Sequence, residues 1–419
     1  MYKKVIEDFK TKGWESNPYD GMIQIKNDSP KDLLPFLKLC LKEFKNGATF
    51  IDGAFSFLSQ NQFKELLDST IEQSKKEGWK KVYNCVISYA SLQFPELLKE
   101  YLFELFKNKE NTSYYDRWIW RKGGKEDITL LIEHIKSDKD KYEAWENLIN
   151  ICNKTAVFQA YKYFDDACPN KQYGFDWYSK QLGFELKEEK VKQLFMDDTY
   201  HIIFDSEYLE EMDKGLVNSP NYAALSKKNH PTWSLNPDTY ESVLFGGELS
   251  SLCQNCGKRL HHLLNIPSNL LSNDKPISFA TCLSCLGWEE EELFYKHDEY
   301  GKPLQLNGKD SYCTPKEEYP PLKKTTVKLV KTPPRWKLQD WGLSNGRENL
   351  NRVGGTPNWI QETQYLSCPV CKNTMVFYLQ LDSELLLEDG DELLWGSGGV
   401  CYIFWCDDCR VSGLYWQCT

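Results

Sequence analysis

The sequence predicts a multidomain α and β chain, with an irregular helical-repeat layer of the HEAT kind over residues 1–195 and a mainly β, duplicated domain over residues 196–419. Three observations carry this reading. Apolar residues recur at helical spacing through the first half, β-branched and aromatic runs take over near residue 195, and four Cys-x-x-Cys units fall in the second half. The length agrees, because 419 residues exceed what one core usually serves and domains commonly run to roughly 150 residues.

In the first half, Ser29-Pro30-Lys31-Asp32 has the form of a helix start: a capping hydroxyl, proline at the first helical position and a carboxylate in the first turn. Leu33, Leu34, Leu37, Cys40, Leu41 and Phe44 then make one apolar stripe. Phe94, Leu97, Leu98, Tyr101, Leu102, Leu105 and Phe106 repeat the pattern, as do Trp145, Leu148, Ile149 and Cys152, and then Val157, Tyr161, Phe164 and Cys168. The links Asn108–Thr112 and Ser137–Lys141 are short and polar, as between antiparallel helices stacked in a layer. No strict period recurs, and an ordinary helical bundle satisfies the same pattern.

The second half opens on Thr199–Phe204, a β-branched and aromatic run bounded by Asp197-Asp198 and Asp205. Pro276–Thr281, Thr326–Val330, Met375–Leu381, Val400–Trp405 and Gly413–Gln417 also read as strands. Pro315–Lys324 and Lys331–Trp336, rich in proline and lysine, read as an irregular connection.

The cysteine units are Cys253/Cys256, Cys282/Cys285, Cys368/Cys371 and Cys406/Cys409. Each puts two thiolates on one tight knuckle, and two knuckles complete the closed tetrahedral sulfur set that zinc takes in structural sites, so two structural zinc ions are expected. A redox dithiol would use one such unit at a helix N-terminus, not four among strands. An internal duplication suggests the pairing. Gly246-Gly247 precedes the first knuckle, which is followed by Leu260, Leu263, Leu264 and Ile266; Gly354-Gly355 precedes the third, followed by Met375, Tyr378, Leu379 and Leu381. Each half then runs a strand into its second knuckle, with Trp288 and Trp416 downstream. Sequential pairing is favoured, while cross-pairing between the halves stays open. Cys40, Cys85, Cys152, Cys168, Cys313, Cys401 and Cys418 lack ligand spacing and read as packing residues. His261-His262 follows a knuckle, but four sulfurs already fill the site and neighbours on a strand face opposite ways. His201, inside an apolar strand, reads as a hydrogen-bonded structural histidine.

Lys plus Arg number 51 against 61 Asp plus Glu, and the excess falls almost wholly in residues 196–419. That balance argues against a nucleic-acid binder and accommodates a basic partner. MYKKVIEDFK lacks the apolar core of a signal peptide, no run of about 18 apolar residues suggests a membrane span, and fifteen cysteines fit a reducing cytoplasm. Lysine far outnumbers arginine, as in AT-rich bacteria. No nucleophile elbow, metalloprotease, Walker or dinucleotide fingerprint occurs; Gly396-Ser397-Gly398-Gly399 fits a hairpin, and the acidic runs Glu289–Glu292 and Glu388–Glu392 read as solvated surface. An enzyme with a site of dispersed residues in the β domain is the competing reading.

The segments GGTPNWIQ, CPVCKNTMVFYLQL and GGVCYIFWCDDC, with the closing tryptophan, resemble the YwqG family of bacterial proteins and its eukaryotic relatives, among them programmed cell death protein 2. The resemblance spans roughly residues 200–419, is tightest over Gly354–Trp416, includes Asn229–Trp233 and Phe245–Gly247, and leaves the helical half uncovered. It implies a β-rich duplicated domain that binds protein or peptide; the eukaryotic members chaperone a ribosomal small-subunit protein. The familial element maps to Gly354, Gly355, Pro357, Trp359, Ile360 and Gln361, with a strand glutamine at Gln380. Gly354, Gly355, Trp359, Gln361 and Gln380 are then the expected partner-binding residues, although Trp359 equally suits a plug in the β core. Several bacterial relatives lack the cysteines, which makes the metal a scaffold. The expected function is a zinc-stabilised protein- or peptide-binding module, chaperone-like or immunity-like, in a bacterial cytoplasm.

Overall fold

A computed structural model describes residues 2–46, 51–55, 57–107, 116–137, 140–212, 239–268, 270, 275–309, 311–332 and 350–418. The described chain divides into two compact units, one running to Lys192 and the other beginning at Gln193.

The first unit is helical: α1 Tyr2–Lys12, α2 Pro18–Asp28, α3 Leu33–Glu43, α4 Asp52–Phe55, α5 Gln60–Glu77, α6 Tyr83–Gln93, α7 Leu102–Lys107, α8 Lys125–Lys136, α9 Lys141–Asn150, α10 Lys154–Lys162, α11 Phe164–Ala167 and α12 Gly174–Gln181. The stripe of α3 is buried as its spacing requires, but Pro30–Asp32 forms a 3-10 turn ahead of it and Ser29 makes no side-chain cap. Capping is instead made where a side chain reaches the third amide: Ser59 and Gln62 cap each other at α5, and Asn153 Oδ1 accepts from Ala156 N at 2.9 Å to start α10. The run from Phe94 differs from a continuous helix, since Pro95–Tyr101 winds as 3-10 before α7. Pro95, whose nitrogen has no proton to donate, sits at the first position of that tighter turn. Helices α8, α9 and α10 pack in succession, and Trp145 Nε1 of α9 donates to Ala160 O of α10 at 2.8 Å.

A hairpin that the helical reading missed, β1 Phe184–Lys187 and β2 Lys190–Gln193, follows α12. Its turn residues Glu188 and Glu189 both have positive φ, the geometry of a two-residue hairpin turn made here without the glycine or asparagine that signals one. The links Asn108–Thr112 and Asn229–Trp233 lie outside the described residues, as do parts of Ser137–Lys141 and Lys331–Trp336.

The second unit comprises β3 Met196–Phe204, helix α13 Ser206–Met212, then β4 Ser242–Phe245, β5 Glu248–Leu252, β6 Arg259–Ile266, β7 Ile277–Thr281, β8 Leu293–His297, β9 Pro303–Gln305, β10 Thr325–Thr332, β11 Arg352–Gly355, β12 Val376–Asp382, a small hairpin β13 Leu385–Leu386 with β14 Glu392–Leu393, β15 Val400–Cys406 and β16 Val411–Gln417. Twelve strands make one sheet in the order β5-β6-β4-β10-β3-β11-β12-β15-β16-β8-β9, with β7 also paired to β6. The pairings are antiparallel. The two ends approach each other, because Ser278 N donates to Gly301 O at 3.1 Å and Gln254 N to Gln305 Oε1 at 2.9 Å, so the sheet is a nearly closed barrel.

The registers of the two halves run in parallel. Leu264, Asn265 and Ile266 of β6 face Phe279, Ser278 and Ile277 of β7; Leu379, Gln380 and Leu381 of β12 face Ile403, Tyr402 and Cys401 of β15. The ladder shifts between His262 and Leu264 in one half and between Phe377 and Leu379 in the other. Leu264 and Leu379 each lie eight residues past the second cysteine of their knuckle. Phe245 pairs with Leu264 and Val353 with Leu379, and each is followed by two glycines of positive φ.

Those glycines sit against backbone. A Cβ on Gly246 would strike Lys323 O, and one on Gly354 would strike Asp198 O. Side chains of β12 and β15 alternate between two cores: Leu379, Leu381, Cys401, Ile403 and Trp405 face the inner cluster, Phe377, Val400, Tyr402 and Phe404 an outer one completed by Trp359. Burial on both faces explains why these strands read as unbroken apolar runs.

Gly354→Ala combines positive φ with a clash against backbone and is expected to cost about 3 kcal/mol or more in urea unfolding. Gly390→Ala, with φ +91° and open space around it, should cost only about 1–2 kcal/mol.

Candidate metal centres

The knuckles form where strands end. β5 runs into Cys253, β7 into Cys282 and β15 into Cys406, while a bridge between Ser367 and Thr374 closes the base of the third. In the first knuckle Cys253 N donates to Lys258 O at 2.7 Å and Gly257 N to Cys253 O at 2.8 Å; in the third, Cys368 N donates to Asn373 O and Lys372 N to Cys368 O, both at 2.9 Å. The two turns are built alike. Their tightness forces a left-handed residue after the second cysteine: Gly257 at φ 74°, Lys372 at 63° and Arg410 at 50°, while Gly287 at 78° serves one residue later in the second knuckle.

The sulfurs gather in two groups, Cys253 with Cys256, Cys282 and Cys285, and Cys368 with Cys371, Cys406 and Cys409. Within each group the ligand atoms lie within 4.8 Å of one another. Pairing is therefore sequential, one group per half. Cys253 and Cys285 sulfurs are 3.8 Å apart, Cys256 and Cys282 3.6 Å, and Cys371 and Cys406 3.6 Å. A tetrahedron of sulfurs with metal bonds of about 2.3 Å has edges of about 3.8 Å, so both groups fit a four-thiolate metal ion. Without a cation the thiols share protons. Hydrogen bonds from Cys282 and Cys285 hold Cys253 low, and the bond to Cys253 pushes Cys282 and Cys285 up. In the second group a backbone hydrogen bond from Asn373 lowers Cys371 to about 7, while burial raises Cys406 and Cys409. A divalent ion removes that competition by letting all four ionise.

The histidines near these sites belong to the core. His261 Nε2 lies 3.1 Å from Tyr319 O, and its Nδ1 accepts from Leu283 N at 3.1 Å, tying the second knuckle to the loop before β10. His262 Nδ1 lies 2.9 Å from Gly246 O and its Nε2 2.8 Å from Asn265 Oδ1. His201, wholly buried, meets the Thr332 hydroxyl. His297, which sequence reading overlooked, has Nε2 2.8 Å from Ser412 Oγ and Nδ1 3.1 Å from Gly301 O. That geometry resembles a nucleophile and its base, yet His297 is 2% and Ser412 1% exposed, and burial drives His297 down to about 4, so the pair links β8 to β16.

Of the five residues expected to meet a partner, four are internal. Gly354 and Gly355 are buried in β11. Trp359 is 1% exposed, its ring 5.1 Å from Tyr402 and 5.3 Å from Tyr365. Gln380 is wholly buried: its Oε1 accepts from Asn358 N and from Arg352, both at 3.0 Å, and its Nε2 donates to Leu350 O at 2.9 Å. Gln361 is exposed, with its side-chain amide on Cys418 O. Ile360 is half-buried, and its amide donates to Tyr402 Oη at 3.0 Å while that hydroxyl donates to Asn358 O at 2.7 Å. Arg352, which carried no sequence signal, is buried and organises this segment, donating to Gly354 O at 2.7 Å, Asn358 Oδ1 at 2.5 Å and Thr356 O.

No family model matches the chain, and no solved structure matches it. An uncharacterised protein, YpfL, of Salmonella typhimurium is 35% identical over 70 residues, which are 17% of this chain and 15% of that protein. The match thus covers a small part of either chain, and the relative's name assigns no activity. Among the described residues no helix is long and apolar enough to cross a membrane.

Elemental analysis of anaerobically purified protein should find two metal ions per chain, and Cys368→Ser should reduce that to one by disabling one group while leaving the other. A second outcome concerns acid. Burial holds His297 below its ordinary value of 6.5, at about 4, with Arg410 adding to the lowering and the Gly301 carbonyl and Asp298 opposing it. The unfolded chain binds that proton between these limits and the folded chain does not, so the stabilisation is full above about pH 6.5 and is lost as pH falls toward 4. The stability gap between the protein and His297→Gln, measured in urea, should narrow by roughly 2 kcal/mol from pH 7 to pH 5.

Proposed function

We propose that the protein is a zinc-stabilised module that binds a short segment of another polypeptide, in a chaperone-like or immunity-like role in a bacterial cytoplasm, and that its β unit is a duplicated domain akin to the YwqG family. The matching registers, ladder shifts and glycine pairs support the duplication. Zinc suits the four-thiolate sets, and a set of four protein sulfurs leaves no position for an activated water. The helical unit is read as an irregular stacked layer, on the support of α8, α9 and α10 packing in succession.

One observation carries the binding role. The outer face of β12 and β15 already grips a backbone segment, through Gln380 on Asn358 N and Tyr402 on both Ile360 N and Asn358 O. The matching positions on β6 and β7 are Asn265 and Ser278, both half-buried and joined by a 2.7 Å hydrogen bond. The chain between Gly247 and Cys253 is taken up by β5, so no equivalent segment of that connection lies over them. We assign this face to the partner's backbone, recognised by the amide and hydroxyl rather than by Trp359 or Gln380. An acidic excess in residues 196–419 favours a basic partner.

A photo-crosslinking residue in place of Ser278, in the full chain in its native cells, should give a discrete protein adduct. Asn265→Ala should lower its yield about tenfold, which corresponds to about 1.4 kcal/mol of binding. Adducts from exposed Tyr161 of α10 with none from position 278 would put the binding surface on the helices instead.

A further inference from the structure

Both four-thiolate groups fit the same ion, yet their surroundings differ. The first group is enclosed: Cys253, Cys282 and Cys285 are wholly buried and Cys256 half-buried. Its knuckle residues are held by chain outside them. Gln254 N donates to Gln305 Oε1 at 2.9 Å, Cys313 N to Asn255 O at 2.7 Å, and Lys309 N to Asn255 Oδ1 at 3.1 Å. On the second knuckle, Cys282 N donates to the Tyr295 hydroxyl at 3.2 Å, Leu283 N to His261 Nδ1 at 3.1 Å, and Ser284 Oγ accepts from Tyr319 N at 3.0 Å. Six bonds from separate segments thus fix the first pair of turns.

The second group is open by comparison. Cys371 and Cys409 are half-buried, and Val370, Asp407 and Asp408 between the ligands are exposed. Its knuckle bonds are mostly local: Cys368 N to Asn373 O, Lys372 N to Cys368 O, Arg410 N to Asp407 O, Lys372 Nζ to Pro369 O, and Trp405 Nε1 to Asp407 Oδ1 at 3.3 Å, with chain from outside meeting Arg410, whose O accepts from His297 N at 2.8 Å and whose guanidinium donates to Asp298 O at 3.1 Å. Its two left-handed positions carry side chains, Lys372 and Arg410, where the first group has Gly257 and Gly287. A residue with a Cβ is strained in that conformation, and here the strain sits directly behind a ligand in each knuckle.

The second group also closes over a working part of the fold. The segment 356–366 runs from the Arg352 cluster to Cys368, carries Trp359, and covers the outer face of β12 and β15. One end is held by Arg352 and Gln380, the middle is bonded to Tyr402, Gln417 and Tyr415 at Ile360 N, Gln361 N, Glu362 O and Gln364 O, and the other end leads into the third knuckle. The fourth knuckle is the turn between β15 and β16.

Resting on the metal reading above, we propose that the two centres have different duties: the first is a permanent staple, and the second is an exchangeable centre whose metal locks segment 356–366 over the outer face. Outer hydrogen bonds of the kind found at the first centre typically alter metal affinity 10–100-fold, and access to Cys371 and Cys409 gives a chelator its entry. When the second metal leaves, the third knuckle loosens, and with it the anchor at the Cys368 end of the segment.

The test uses the full, metal-loaded chain under anaerobic conditions with the chromogenic chelator 4-(2-pyridylazo)resorcinol. Free thiols are trapped by N-ethylmaleimide at intervals and located by peptide mass mapping. Release should come in two phases separated by about tenfold or more in rate, with Cys368, Cys371, Cys406 and Cys409 alkylated in the first. Amide hydrogen exchange over residues 356–366 should rise with that phase, while exchange in β6 and β7 stays unchanged until the second. Lys372→Gly with Arg410→Gly, which relieves the left-handed strain, should slow the first phase and leave the second as it was. A single phase, early alkylation of Cys253 or Cys256, or two phases with no change over residues 356–366 would overturn the proposal. A chain that carries no metal when purified would overturn the metal reading itself, and this proposal with it.

Discussion

Four sulfurs from two different knuckles must meet at one point, and that requirement governs the β unit. Each group joins a knuckle ahead of one strand to a knuckle at the end of the strand paired with it, β6 with β7 and β12 with β15. A slip of one residue would shift a knuckle by about 3.4 Å and turn each side chain to the opposite face. That displacement is nearly the full edge of a sulfur tetrahedron, so the sulfurs would no longer close. Register, and with it the assignment of residues to inner and outer core, is therefore tied to the closure of the two four-cysteine groups.

The outer core of the second half depends on a further constraint. Phe377, Tyr402 and Phe404 would face water if nothing covered them, and segment 356–366 does so with Trp359. That segment has no strand partner along most of its length, so its backbone groups need other acceptors and donors. Gln380 and Tyr402 meet two of its amides, and the Arg352 guanidinium gathers Gly354 O, Thr356 O and Asn358 Oδ1 while lying 5.7 Å from the Phe377 ring. A planar fork of five donors reaches several oxygens at once, which an ammonium on a single stem does not. The cover and the face it covers are thus one polar and apolar assembly.

Much of this was legible because the strongest signals are local. Cysteine spacing marked the knuckles, the offsets after each knuckle favoured the pairing, and the runs Met375–Leu381 and Val400–Trp405 marked the strands that form β12 and β15. What stayed hidden is long-range or depends on one backbone angle. Nothing around Thr325–Thr332 announces that it lies between β4 and β3, far apart in sequence. Arg352 looks like any surface arginine until the carbonyls of the following residues fold back on it. In GGTPNWIQ, glycine, tryptophan and the strand glutamine that pairs with it serve equally to cover a sheet or to meet a partner, and the burial of Gly354, Gly355, Trp359 and Gln380 puts them in the cover. In the helical half, Glu188-Glu189 gave no turn signal because the hairpin uses residues that seldom take positive φ.

The two halves show how one architecture supports unequal faces. Where the second half carries Phe377, Gln380, Tyr402 and Phe404 outward, the matching register positions of the first carry His262, Asn265, Ser278 and Ala280. Large aromatic rings create a face that must be covered by the chain itself, whereas small and polar groups satisfy one another, as Ser278, Asn265 and His262 do in a run of hydrogen bonds ending on Gly246 O. The connection ahead of each knuckle follows suit: long and folded over the face in the second half, short and extended as β5 in the first. The difference in face chemistry and the difference in loop length therefore go together, since a face without rings does not repay the conformational entropy of ordering a covering segment. Among the described residues, the connection ahead of the first knuckle therefore supplies no counterpart of segment 356–366.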